Sequence, residues 1–203
     1  MASLCESLIK KDIEVNCDDP VTGKLEPNAK IANRSDIDFS ESVFDPTRKN
    51  VLKTLKMKQG KRAYDAYVPN EQGFAGTKAS MEKGTYRNTI TNDFQMIIFD
   101  NGPGICEKVI DGLIDGTFLV VFENKYKSLQ QQDNAGDSAF QVMGWYQGLK
   151  AEELEDDKYS EDTEGGWRVL LRETKVPKSG LFLFDGDYTT TRAKFDSLSA
   201  VTP

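Results

Sequence analysis

Residues 117–123, Thr117-Phe118-Leu119-Val120-Val121-Phe122-Glu123, are the most β-prone run of the chain, and Phe118–Phe122 is its longest unbroken apolar stretch. Five apolar residues make a strand. A bilayer span needs roughly 20, so no membrane insertion is expected of this chain. Just upstream, Asp115-Gly116 ends an amphipathic helix. Its apolar stripe is Ile105, Val109, Ile110 and Leu113, at offsets of 4, 5 and 8, which predicts a helix over about 102–114. Before it, Asp93–Phe99 reads as a buried strand stopped by Asn101-Gly102-Pro103-Gly104. The centre of the chain is therefore strand, helix, strand.

Working outward, the pattern stays β. Asp12–Asn16 alternates polar and apolar, and a further strand fits Lys30–Arg34. Val51–Lys58 and Lys61–Val68 flank the turn Gln59-Gly60 and read as a basic hairpin. Thr77–Lys83 and Tyr86–Thr91 flank Gly84 as a second hairpin. Ala139–Tyr146, Trp167–Thr174, Leu181–Phe184 and Tyr188–Lys194 complete the strands, with polar loops at Gln130–Gly136 and after Gly148. Strands and helices do not alternate regularly, which argues against a doubly wound parallel sheet. The reading is mainly β: a β-sandwich or barrel with one flanking α-helix and long loops. Residues 1–203 form one β-rich domain, with 1–45 left as an N-terminal arm or extension.

Composition narrows function. The 203 residues contain no histidine, which removes Ser-His-Asp triads, Cys-His dyads and His-ligated zinc. Cys5, Cys17 and Cys106 are widely spaced and odd in number, which suits a reducing compartment rather than a disulfide framework. The first residues, Met1-Ala-Ser-Leu-Cys-Glu6, carry neither a basic nor an apolar signal region, so no signal peptide is expected. The net charge of −7 is unevenly spread. Residues 150–164 hold eight acids and two bases, a balance of −6, whereas residues 46–63 hold seven bases and no acid. Arg48, Lys49, Lys53, Lys56, Lys58, Lys61 and Arg62 on one side, and Glu152, Glu153, Glu155, Asp156 and Asp157 on the other, are either solvated runs or complementary surfaces.

Local motifs give little chemistry. Gly102-Pro103-Gly104 lacks the lysine of a phosphate loop and is a turn before a helix. Asp18-Asp19 and Asp185-Gly186-Asp187 are explained by turn chemistry. The basic block beside Tyr64 and Tyr67 could touch nucleic-acid phosphate, but the acidic chain argues against a dedicated nucleic-acid binder. Glu123-Asn124-Lys125, with Asp115 upstream, resembles the core of restriction-type nucleases, where two carboxylates hold Mg²⁺ and the lysine orients water. The Pro-Asp that usually precedes such a core does not occur in this chain. The alternative enzymatic reading is therefore a Mg²⁺-dependent nuclease using Asp115, Glu123 and Lys125; the plainer one is a strand ending in a charged turn.

The segment Phe140-Gln-Val-Met-Gly-Trp-Tyr-Gln-Gly-Leu149, a strand ending in a G-aromatic-x-x-G-L turn, is similar to the late strand of tail tube proteins of tailed bacteriophages. The acid-rich stretch after it, then Gly165-Gly166-Trp167, and the unit Phe94–Tyr126 continue the likeness over residues 45–195. The basic hairpin falls where that family carries its long inter-ring loop. The resemblance implies a structural virion protein without catalysis or cofactor. It implies homo-oligomeric, hexameric rings stacked into a tube, contacts with other tail proteins, and genomic DNA passing through the lumen without specific binding. It places the protein in the phage tail, made in the bacterial host cytoplasm. Head–tail connectors and tail terminators are allied ring proteins that the sequence does not separate from the tube. Stacked rings make heterologous contacts, which want complementary surfaces, and one basic and one acidic block would supply them.

Overall fold

The computed structural model describes residue 13 and residues 23–68, 76–125 and 138–201. Eleven strands are β1 (Leu25–Asn33), β2 (Val43–Phe44), β3 (Val51–Thr54), β4 (Tyr64–Ala66), β5 (Gly76–Glu82), β6 (Thr89–Ile98), β7 (Phe118–Asn124), β8 (Phe140–Met143), β9 (Lys150–Asp156), β10 (Trp167–Val176) and β11 (Leu181–Leu183). They form a seven-stranded sheet, ordered β2-β3-β11-β8-β7-β1-β4, and a four-stranded sheet, ordered β5-β6-β10-β9. Only β3 and β11 pair in parallel among these strands.

Strand β7 lies near the middle of the larger sheet and shows why its sequence is apolar throughout. Phe118, Val120 and Phe122 join Phe94 and Met96 of β6 and Val169 and Leu171 of β10 in one core, between the two sheets. Leu119 and Val121 point the other way, into a second core with Leu52, Phe140, Leu181 and Leu183. A strand alternates faces residue by residue, so a run buried on both faces is apolar at every position.

Helical segments cover the rest. Pro103–Ile105 (α1), a π-wound stretch Cys106–Ile110, and Asp111–Asp115 (α2) run on as one segment, starting at Pro103 as the first-turn proline and ending before Gly116. Ile110 and Leu113 are buried in the inter-sheet core, with Val109 packed against it. The flanking helix thus stands where the apolar stripe puts it. A second helix, α3 (Tyr188–Ser197), covers the outer face of the larger sheet through Phe195. No helix among the described residues is long and apolar enough to cross a membrane.

Three local expectations are corrected. Tyr188–Lys194 is helix, not strand: the β-branched Thr189-Thr190-Thr191 run is overridden by the Asp187 cap, which accepts the Thr190 N–H at 2.7 Å, and by burial of Phe195 and Thr191. The basic hairpin does not form. Gln59-Gly60 does turn, but β3 and β4 stand at opposite ends of the seven-stranded order, β3 next to one edge and β4 on the other. Leu55, Met57 and Ala63 bury instead against the outer face of the sheet, so residues 55–63 strap across it. The stretch after Gly148 is a strand, β9, rather than a loop. Its low β propensity is offset by antiparallel pairing to β10 and by an edge position, where charge is favoured. The strand expected at Asp12–Asn16, Ile13 apart, and the loop Gln130–Gly136 lie outside the described residues.

The turn Gly144–Gly148 links β8 of one sheet to the beginning of β9 in the other. Glu173 of β10, 1 % exposed, accepts N–H bonds from Gly144 (2.8 Å), Tyr146 (3.0 Å), Gln147 (2.8 Å) and Gly148 (3.2 Å). Arg34 donates through Nη2 to the carbonyls of Trp145 (3.0 Å) and Tyr146 (3.1 Å), and its guanidinium lies over the Phe39 ring. A buried carboxylate is tolerated here because both oxygens are bonded.

Candidate functional site

The residues of the nuclease reading are not gathered. Asp115 ends α2 and is exposed, one turn before β7 begins, while Glu123 sits near the far end of that strand. Phe118 and Glu123 are five residues apart in β7, about 17 Å at strand spacing. The Glu123 carboxylate is buried and engaged: Arg192 Nη1 reaches Oε2 at 2.7 Å, and the Tyr188 hydroxyl donates to Oε1 at 2.5 Å. Burial and this carboxylate push the Tyr188 phenol above its ordinary value. Glu123 therefore fastens α3 to the sheet. Lys125 donates its backbone N–H to Lys24 at 3.0 Å. Among the described residues no group of three or more Cys, Asp or Glu side chains is placed to hold a metal ion.

The part of the basic block in residues 55–63 and the acidic strand β9 lie on opposite sides of the seven-stranded sheet, while Arg48 and Lys49 lie in the turn between β2 and β3 and Lys53 lies within β3. The basic stretch is anchored by Leu55, Met57 and Ala63 in the outer core, on the α3 side. The acidic strand β9 is anchored by Ala151 and Leu154 against the inter-sheet core. Each block is partly satisfied at home. Lys58 Nζ donates to the Ser35 carbonyl at 2.7 Å, Lys61 pairs with Asp36 at 3.4 Å, and Arg62 lies over the Tyr64 ring. Arg172 bridges Asp93 and Glu152 at 2.7 and 2.9 Å, Arg168 approaches Glu153 at 3.9 Å, and Lys158 pairs with Asp156 at 2.6 Å. Among the described residues no ion pair joins one block to the other. Arg48, Lys49, Lys53, Lys56, Glu155 and Asp157 have no ion-pair partner among the described residues.

Two surface features were not legible from sequence motifs. The β5–β6 hairpin stands out from the core: every residue of β5 after Gly76 is exposed, and Met81 and Tyr86 near its tip are 58 % and 101 % exposed. At the other end of β6 a groove of about 680 Å³ opens between that strand, β4 and the helical segment. Ile31, Met96, Ile98, Val109 and Leu113 line it, and Tyr67 and Phe99 meet at its rim with ring centres 6.4 Å apart. The apolar residues of the groove follow ordinary strand and helix periodicity, so only the packing of distant elements reveals it.

No family model, no curated protein and no solved structure matches this chain.

Proposed function

We propose that this chain is a structural subunit of a bacteriophage tail tube, assembling as stacked homo-oligomeric rings around a channel for DNA. The reading assigns it no catalytic role. The observation that carries it is the placement of the basic stretch 55–63 and the acidic strand β9 on opposite sides of the larger sheet, with no ion pair between the two blocks among the described residues. Surfaces of opposite sign on opposite sides of one subunit suit head-to-tail contacts, which are heterologous and extend into a tube. The four-stranded sheet adds a second kind of support. Its edges, β5 and β9, are each seven residues long, and β9 is strongly acidic whereas the β5–β6 hairpin carries Lys78, Lys83 and Arg87 against Glu82. Unpaired edges of this kind are closed off when copies pair side by side in a ring.

Negative-stain microscopy of the purified protein tests the proposal. Rings or tubes are expected, dissolving as salt screens the contacts. A monomer at high concentration and low salt overturns it. Particles that stop at one ring overturn the tube and identify a connector or terminator.

A further inference from the structure

We infer that the outer edge of β5 pairs with the β5 of a second copy, antiparallel and about Ser80, so that two four-stranded sheets run on as one. The sheet edges among the described residues differ in how they are guarded. On the larger sheet the edge strands β2 and β4 are two and three residues long. On the smaller, β9 is strongly acidic and breaks register against β10 between Leu170 and Leu171, an irregular, charged edge of the kind that resists further pairing. Strand β5 is neither short nor irregular. Its seven residues pair with β6 without a break, from Gly76 opposite Gln95 to Glu82 opposite Thr89. Every residue after Gly76 is exposed, so no other described part of the chain stands in the way of a further strand.

What selects a second copy is that β5 is its own complement. Lys78, Ser80 and Glu82 share one face of the strand, and Thr77, Ala79 and Met81 the other. Laid antiparallel about Ser80, each copy's Lys78 meets the other's Glu82, each Ala79 meets a Met81, and Ser80 meets Ser80. A slide of two residues either way loses both ion pairs. A slide of four sets Lys78 against Lys78 or Glu82 against Glu82. The charges are available. Lys78 has no ion-pair partner among the described residues, and Glu82 takes the Thr91 hydroxyl on Oε1 at 2.5 Å, leaving Oε2 without one. The same register covers Met81, which is 58 % exposed in the single chain. Such a two-fold contact is isologous and closes at two copies. It does not rest on the tail-tube reading, and it excludes a ring that closes through the same edge.

The test uses the full-length chain. A disulfide from position 80 to position 80 can only join two copies, and Ser80 lies on the two-fold axis. Oxidised Ser80→Cys is therefore expected to be a covalent dimer with that link in its peptide map. Sedimentation reads the charge register. Lys78→Glu and Glu82→Lys each turn both ion pairs into like-charge pairs, and each is expected to weaken dimerisation by about tenfold or more. The double variant restores the pairs in swapped order and is expected to dimerise within about threefold of the parent. All these changes lie at exposed positions of β5, so an unchanged circular dichroism spectrum is expected. Links from position 80 to Cys5, Cys17 or Cys106 in place of the symmetric one, single reversals without effect, or reversals that the double variant does not repair overturn the inference. Tubes in which position 80 stays unlinked leave the tail-tube reading standing while this contact falls; linked dimers that never form rings do the reverse.

Discussion

Arg34 and Glu173 hold one turn from its two sides, the guanidinium on the carbonyls of Trp145 and Tyr146 and the carboxylate on four amides from Gly144 to Gly148. Glu173 belongs to β10 of the smaller sheet and Arg34 to the short 3-10 turn that follows β1 of the larger one, so the turn is held from both sides of the sandwich.

Removing the carboxylate leaves buried amides without an acceptor. Glu173→Ala is expected to lose on the order of 3 kcal/mol or more of stability in urea unfolding. Glu173→Gln, which keeps one acceptor oxygen, is expected to lose less. A loss under about 1 kcal/mol for the alanine variant would show that the turn holds itself.

Gly144 is required by its backbone, at φ +89°, and by space, since a Cβ there would run into the Phe118 carbonyl. Gly144→Ala is expected to cost more than about 2 kcal/mol. Gly104→Ala is the control: it sits in α1 with open space around it, and is expected to be neutral or stabilising by up to about 1 kcal/mol. Equal melting temperatures for the two variants would contradict this account.

Alkaline stability reads the Tyr188–Glu123 contact. Burial and the hydrogen bond to Glu123 raise the Tyr188 pKa in the folded state, so the native protein holds that proton more tightly than the unfolded chain. The stabilisation is complete below the ordinary phenol value and is lost as pH rises through the folded one. Unfolding free energy should therefore fall above about pH 10, and the fall should be shallower in Tyr188→Phe. Tyr146, also raised by burial and by Glu173, contributes in the same direction, so the two variants should combine. An identical alkaline slope in the wild type and both phenylalanine variants would remove the effect.

Charge reversal separates folding from assembly. Lys58 and Lys61 are engaged within the chain, so reversing them disturbs the strap; Arg48, Lys49 and Lys56 have no ion-pair partner among the described residues. The triple variant of these three to Glu is expected to shorten or abolish tubes while shifting the melting temperature by no more than a few degrees. Normal tubes from that variant would show that the basic face does not drive stacking.

The parts of the fold legible in sequence were those written in local periodicity. Phe118–Phe122 and the Ile105–Leu113 stripe appear where spacing places them, and the Gly84 hairpin forms, but with Tyr86 in its turn and with the strands expected at Tyr86–Thr91 and Asp93–Phe99 joined as one, β6. What was hidden depended on partners far along the chain. Leu55, Met57 and Ala63 looked like hairpin positions because a period of two does not say whether a residue pairs sideways or packs downward. Thr189–Thr191 looked like strand because its cap and the burial of Phe195 lie outside the run itself. The same holds for function: the charge blocks were visible as counts, but the placement of residues 55–63 and β9 on opposite sides of a sheet was not.

The position of β11 governs the order in which the molecule can be completed. Leu181–Leu183 fits between β3 and β8, and among the described strands it alone pairs the β2–β3 pair to the rest of the larger sheet. Without β11 the strand order of the larger sheet divides into a β2–β3 pair and a β8-β7-β1-β4 group, each with an unpaired edge. The late strand joins them, and α3 follows at once to seal the outer face. Such long-range closure is slow relative to local turns. Loss of the last two elements should leave a chain with exposed edges, seen as aggregation of a product truncated at residue 180, while an early truncated product that stays monomeric and cooperative would refute this order. Until β11 is in place, β3 and β8 each keep an open strand edge that the completed sheet covers.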